Sequence, residues 1–153
     1  MRILGIDPGT GIVGFGVIDV VGQAKTMVDA GVIRTPAHQA DEQRLATIYD
    51  ELTEIIETNK PEVMVVEKLF FTNNITTGMS VSQARGVILL AGEQAKLKLI
   101  EYTPLQIKQS LTGDGKASKQ QVQQMVKTIL KLKQVPQPDD CADALAAALT
   151  FAP

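Results

Sequence analysis

The sequence has no tryptophan, one cysteine and one histidine, and only 4% of its residues are aromatic. A lone thiol, Cys141, cannot close an internal disulfide or build a zinc cluster, which excludes a disulfide-stapled secreted scaffold and a zinc finger. It reads as a small buried residue of the last helix. A lone histidine, His38, in a polar stretch leaves no base for a Ser-His-Asp or Cys-His nucleophile. No apolar run approaches the ~18 residues of a membrane span. Residues 1–4 run straight into a glycine turn without a signal-peptide core. The expected setting is the reducing cytoplasm, with no membrane partner. An excess of one charge is also missing, since 15 basic and 17 acidic residues leave a net charge of −2.

What is present is an ordinary globular balance of 44% apolar and 21% charged residues in 153. That length fits one domain, residues 1–153, burying about 68–70% of the surface its unfolded chain exposes. The charges are segregated along it. Residues 1–95 carry seven basic and twelve acidic side chains, a balance of −5, and residues 96–133 carry eight lysines against Glu101 and Asp114, a balance of +6. The last twenty residues add Asp139, Asp140 and Asp143. A lysine-rich segment of this kind is a solvated helix face or a nucleic-acid footprint.

Hydrophobic periodicity predicts strands over residues 1–7, 15–20 and 27–33, joined by glycine or polar loops as a three-stranded antiparallel meander. Apolar residues at helical spacing predict a helix over 41–58, with Asp41 as its N-cap. The fully apolar run 63–66 suits a strand covered on both faces. A helix over 75–96 and a strand over 97–102 follow. The apolar face of residues 81–95 suits either the sheet or a partner subunit. Pro104 starts a short helix, residues 112–115 form a turn, Ser118 caps a helix through 131, and Pro136-Gln137-Pro138 leads into a last helix over 139–151. The resulting fold class is α/β, a mixed five-stranded sheet flanked by helices.

Two glycine motifs fail on context. Gly9-Thr10-Gly11-Ile12-Val13-Gly14 fits a dinucleotide fingerprint, but a strand follows where a helix is required. Gly113-Asp114-Gly115-Lys116-Ala117 lacks the first glycine and the Ser/Thr of a phosphate loop. The acids are more informative. Asp7 and Glu67 each end an apolar strand, at the carboxyl edge where α/β proteins place their sites. Asp140 and Asp143, three apart, share one face of a first helical turn. A carboxylate set without His or Cys suits Mg²⁺ or Mn²⁺ rather than zinc.

Several segments together, in order and spacing, resemble the RuvC family of Holliday-junction resolvases. They are Gly5-Ile6-Asp7-Pro8-Gly9, Gly14-Phe15-Gly16-Val17, Val66-Glu67-Lys68-Leu69-Phe70, Gln83-Ala84-Arg85-Gly86 and Asp140-Cys141-Ala142-Asp143-Ala144-Leu145-Ala146, and the match spans residues 3–150. Lys68, where some relatives carry Gln, departs from the family pattern. Asp139 adds an acid beside the motif and leaves open which aspartates bind metal. The resemblance implies an RNase H-like fold and a Mg²⁺-dependent endodeoxyribonuclease with Asp7, Glu67, Asp140 and Asp143 as catalytic metal ligands. Two Mg²⁺ per site, replaceable by Mn²⁺, would drive hydrolysis to 5′-phosphate and 3′-hydroxyl ends by paired, symmetric nicks. DNA contacts would come from Phe70, Lys108, Lys116, Lys119 and Arg85. The implied partners are four-way junction DNA, a second copy in a homodimer, and the RuvA–RuvB branch-migration complex. Rival readings are a YqgF-type RNase H-like nuclease, a non-catalytic junction-binding protein, and an actin-like kinase lobe suggested by Asp7-Pro8-Gly9-Thr10, which needs roughly twice this length.

Overall fold

A computed structural model describes residues 1–69 and 74–153. The described elements run β1 (Arg2–Asp7), β2 (Ile12–Val21), β3 (Ala24–Arg34), α1 (Asp41–Asn59), β4 (Val63–Glu67), α2 (Ile75–Gln94), β5 (Lys98–Tyr102), α3 (Pro104–Thr112), α4 (Lys119–Ile129) and α5 (Asp139–Phe151). The sheet order is β3-β2-β1-β4-β5, with β1, β2 and β3 antiparallel in sequence and β4 and β5 added parallel to β1. This is the mixed sheet expected from the sequence. β2 and β3 are longer than expected because only Gly22 and Gln23 separate them, and pairing runs from Ile12↔Arg34 to Val21↔Ala24 with one register shift between Val17 and Ile18. Gly22 takes a φ of 59°, a left-handed conformation that favours glycine.

Alternation along the strands divides the core in two. Ile3, Ile18, Val63 and Val65 face α3, α4 and α5. Leu4, Ile6, Val17, Met64 and Val66 face α1 and α2. β1 and β4 are thus covered on both sides, which is why they read as continuous apolar runs. Ala84, Ile88 and Ala91 of α2 are buried in the second cluster, so the apolar face of residues 81–95 packs on the sheet.

Helix ends follow local chemistry, with small corrections. The N-cap of α1 is Ala40 rather than Asp41. Asp41 and Glu42 occupy the first turn, where their charge meets the unpaired N–H groups. α1 ends at Lys60, with φ 51°, ahead of Pro61. α2 stops at Gln94 and α4 at Ile129, each two residues short of Lys96 and Lys131, which adopt φ 58° and 53°. Ser118 caps α4 as expected, and Thr103 does the same for α3. Both form capping boxes with the glutamine three residues on.

The contact that positions the site is between α5 and the sheet. A Cβ on Gly5 would collide with the carbonyl of Ala144, one on Gly14 with the carbonyl of Asp140, and one on Gly16 would sit 2.6 Å from the Leu145 side chain. Ala142, Ala144, Ala146, Ala147 and Ala148 are all buried at this contact or beside it. Glycines on the strands and alanines on the helix let two backbones approach more closely than larger side chains permit. No helix among the described residues is long and apolar enough to cross a membrane.

Gly14→Ala forces the first turn of α5 off the sheet. Overpacking of this kind costs about 1–3 kcal/mol, so thermal unfolding should show Tm lowered by roughly 2–4 °C per kcal/mol. A Tm equal to the parent's would mean that the helix shifts without cost.

Candidate active site

The site is assembled by strand register. Ile6 pairs with Val66 across the parallel β1–β4 ladder, so Asp7 and Glu67 leave neighbouring strands side by side. They continue the Ile3 and Val63 face of the pleat, which α5 covers. Asp7 pairs across β1–β2 with Gly14, the residue against which the Asp140 carbonyl rests. The first turns of α5 therefore sit directly over Asp7. Asp7, Glu67 and Asp143 line a cleft of about 260 Å³ together with Lys108 and Lys119, against an apolar wall that includes Ile107 and Val122.

Burial and mutual repulsion set the charges. Desolvation, followed by Glu67, Asp143 and Asp140, pushes Asp7 up to about 8 from 3.8, with Lys119 opposing. Desolvation and Asp143 push Glu67 up to about 7 from 4.5, with Lys119 and Lys108 opposing. Asp143 is raised by burial against the pull of its bond to Lys119. The Lys119 ammonium lies 2.9 Å from Asp143 Oδ2 and 3.6 Å from Asp139 Oδ2, and the Asp143 bond holds its pKa above the ordinary lysine value.

Asp140 is half-buried beside the cleft and is felt by Asp7 and Asp143 as charge. Among the described residues no three His, Cys, Asp or Glu side chains close on a common point as they stand. Lys119 is the cation at Asp143. The donor set nevertheless fits a divalent ion. It is all carboxylate, it crowds like charges in a partly apolar cleft, and Asp7 and Glu67 hold protons to pH values at which free carboxyls have lost them.

Of the lysines expected to contact DNA, Lys108 and Lys119 line the cleft beside the acids. Lys116 does not. It is exposed and outside the cleft, in a turn where its N–H donates to Asp114 Oδ1 at 2.8 Å. Arg85 lies on the α1/α2 side, ion-paired with Glu101 of β5, which leaves its guanidinium engaged away from the acids. Phe70 lies outside the described residues. His38 is exposed and Cys141 buried, as expected. No sequence pattern signals the network that holds the loop after Asp7. Thr35 Oγ1 donates to the Thr10 carbonyl at 2.5 Å, Arg44 Nε donates to Thr35 Oγ1 at 3.0 Å, and Thr10 Oγ1 bonds Ser80 Oγ at 2.6 Å. These partners lie too far apart in the chain for any periodicity to signal them.

Comparison with known proteins gives the same picture. The family model for "Crossover junction endodeoxyribonuclease RuvC" matches residues 3–151. The protein of that name from Heliobacterium modesticaldum is 53% identical over 152 residues, covering 99% of this chain and 94% of the relative. The one from Brevibacillus brevis is also 53% identical, covering 99% and 92%. Among solved structures, Thermus thermophilus RuvC in complex with a Holliday junction substrate superposes with a TM-score of 0.93 at 36% identity, covering 98% of this chain and 92% of that one. The fold is RNase H-like.

The raised carboxyls make a stability prediction whose sign is fixed. The metal-free fold binds more protons than the unfolded chain between the unfolded values of 3.8 and 4.5 and the folded values of about 8 and 7. The stability contributed by these two groups is therefore full below about pH 4 and is lost as pH rises through 7 to 8. Asp7→Asn removes the larger part. Its Tm relative to the parent, measured with chelator present, should climb by several degrees from pH 4 to pH 8. A pH-independent difference would show that Asp7 is not charged at the expense of the fold.

Proposed function

The chain belongs to the RuvC family of crossover junction endodeoxyribonucleases, and from that premise we propose that Asp7, Glu67, Asp140 and Asp143 are its phosphodiester-cleaving centre. The reaction is resolution of four-way DNA junctions in recombination, by an endonuclease that depends on metal. The single observation that carries the residue assignment is the convergence of strand-end and helix-start carboxylates on one cleft walled by lysines. No other described cavity brings together acids with such raised pKa values.

Asp7, Glu67 and Asp143 would hold the metal, with Asp140 beside them. Mg²⁺ in a pair is the proposed complement, with Mn²⁺ as substitute. When bound, such ions supply positive charge at the scissile phosphate and make water a stronger nucleophile. The remaining work belongs to the chain. Lys108 and Lys119 neutralise backbone phosphates at the cleft mouth. Ile107 and Val122 exclude bulk water, which strengthens every charge interaction inside. Asp7, rigid at a strand end under α5, fixes the geometry for in-line attack and departure of the 3′ oxygen, leaving a 5′-phosphate.

We further propose a homodimer, since a junction with near two-fold symmetry needs two equivalent sites. Support comes from α2, whose side away from the sheet exposes Ile75, Met79 and Leu90 at 74%, 60% and 50%. These lie at i, i+4 and i+15, one apolar stripe on a helix already packed by its other face. The RuvA–RuvB complex is the proposed cellular partner, and the support for it is family membership alone.

Asp7→Asn is expected to abolish cleavage of a labelled synthetic junction in Mg²⁺ while junction binding persists, because it deletes a metal ligand and no phosphate contact. Cleavage within tenfold of the parent would remove Asp7 from the centre. Replacing Met79 and Leu90 together by Glu should shift the protein to monomer in sedimentation and uncouple the two nicks. An unchanged dimer would move the interface elsewhere.

A further inference from the structure

The parallel strands β1, β3, β4 and β5 all finish at one edge of the sheet, the edge that carries Asp7 and Glu67. Going the other way along that rim from Asp7, β2 begins at Ile12, and β3 ends at Arg34, its pairing partner. With strands about 4.8 Å apart, the end of β3 lies roughly 10 Å from the end of β1. Two arginines mark this stretch. Arg34 is exposed, and Arg44 reaches up from α1 on the far face of the sheet from Lys108 and Lys119.

Neither arginine is in an ion pair among the described residues, although residues 1–95 carry a net charge of −5. Arg44 is nevertheless held. Its Nε donates to Thr35 Oγ1 at 3.0 Å, and Thr35 in turn donates to the Thr10 carbonyl at 2.5 Å. That bond uses one edge of the guanidinium. Its Nη atoms donate to no described residue and are not among the buried unpartnered atoms. Gly11 keeps the approach open, since a Cβ there would come within 3.3 Å of Nη2. A guanidinium oriented by one neutral hydroxyl, with no described residue on its fork beside the loop that follows Asp7, is arranged for an anion with paired oxygens.

We propose that Arg44 binds a backbone phosphate of the junction on the opposite flank of the site from Lys108 and Lys119. The scissile strand is then held on both sides of Asp7 rather than on one. The proposal rests on the junction-resolving reading above. It differs from a purely positioning role for Arg44, in which the Thr35–Thr10 chain is all that the side chain does.

The test is junction affinity against salt with the metal chelated, so that no cleavage occurs, for the parent, Arg44→Gln and Arg44→Lys. One lost phosphate contact flattens the slope of log affinity against log salt by about 0.9. Between 50 and 200 mM salt the parent should therefore lose about 3-fold more affinity than Arg44→Gln, while Arg44→Lys keeps the parental slope. An unchanged slope in Arg44→Gln overturns the proposal, even if cleavage falls, because that is what a positioning role gives. If Arg44→Gln does not fold, Arg44→Met, which keeps the apolar stem and removes the charge, decides by the same criterion. A parent that does not prefer a four-way junction to linear duplex would defeat the functional reading itself. A parent that does, with variants parallel to it, defeats only this inference.

Discussion

The close approach of α5 to β1 and β2 is the constraint on which the site depends. Gly5, Gly14 and Gly16 supply a flat patch on the sheet, and Ala144, Ala147 and Ala148 supply its counterpart on the helix. Close packing here removes apolar surface from water with almost no side-chain entropy to lose. The contact also has a chemical effect. Because the Asp140 carbonyl lies against Gly14, and Gly14 is paired with Asp7, the first turn of α5 is fixed relative to the end of β1.

That assembly sets like charges against one another, and the fold elsewhere must offset the cost. Asp7 and Glu67 are buried enough that desolvation, not repulsion, is the leading cause of their raised pKa values. Lys119 answers part of the deficit through Asp143 and Asp139. A half-exposed ammonium on a flexible stem is a weak counter-ion compared with a divalent ion seated among carboxylates. The free site is thus an electrostatically unsatisfied arrangement in a scaffold stable for other reasons. The proposed metal would relieve that imbalance.

Much of this was legible in the sequence, for identifiable reasons. Residues 3–6 and 63–66 announced themselves as doubly covered strands because nothing polar interrupts them. Asp7 and Glu67 stood out because each ends such a run, and Ser118, read as a cap, does cap α4. Less was visible where structure depends on distant partners. Arg85 looks the same in sequence whether it meets DNA or Glu101, and only the packing of α2 beside β5 decides. Lys116 and Lys119 are three residues apart, yet the turn ending at Ser118 leaves one in solvent and aims the other at Asp143. Asp41 had the right chemistry for a cap, but the helix started one residue earlier and took it as a first-turn charge.

Two different rules act on α5 within the same few residues. Ala144 and Ala148 must be small where they meet the strand glycines, and Asp140 and Asp143, in the first turns, carry charge beside Asp7. Each residue advances a helix by about 100°, so inserting or deleting one residue between Asp143 and Ala144 would turn the acids out of phase with the alanines. The helix would then have to choose between seating on the glycines and facing its carboxylates into the cleft. Substitutions in α5 can be graded by size and polarity, but a change in its length is all or none. Length variation among proteins built this way should therefore collect in the loops outside this helix.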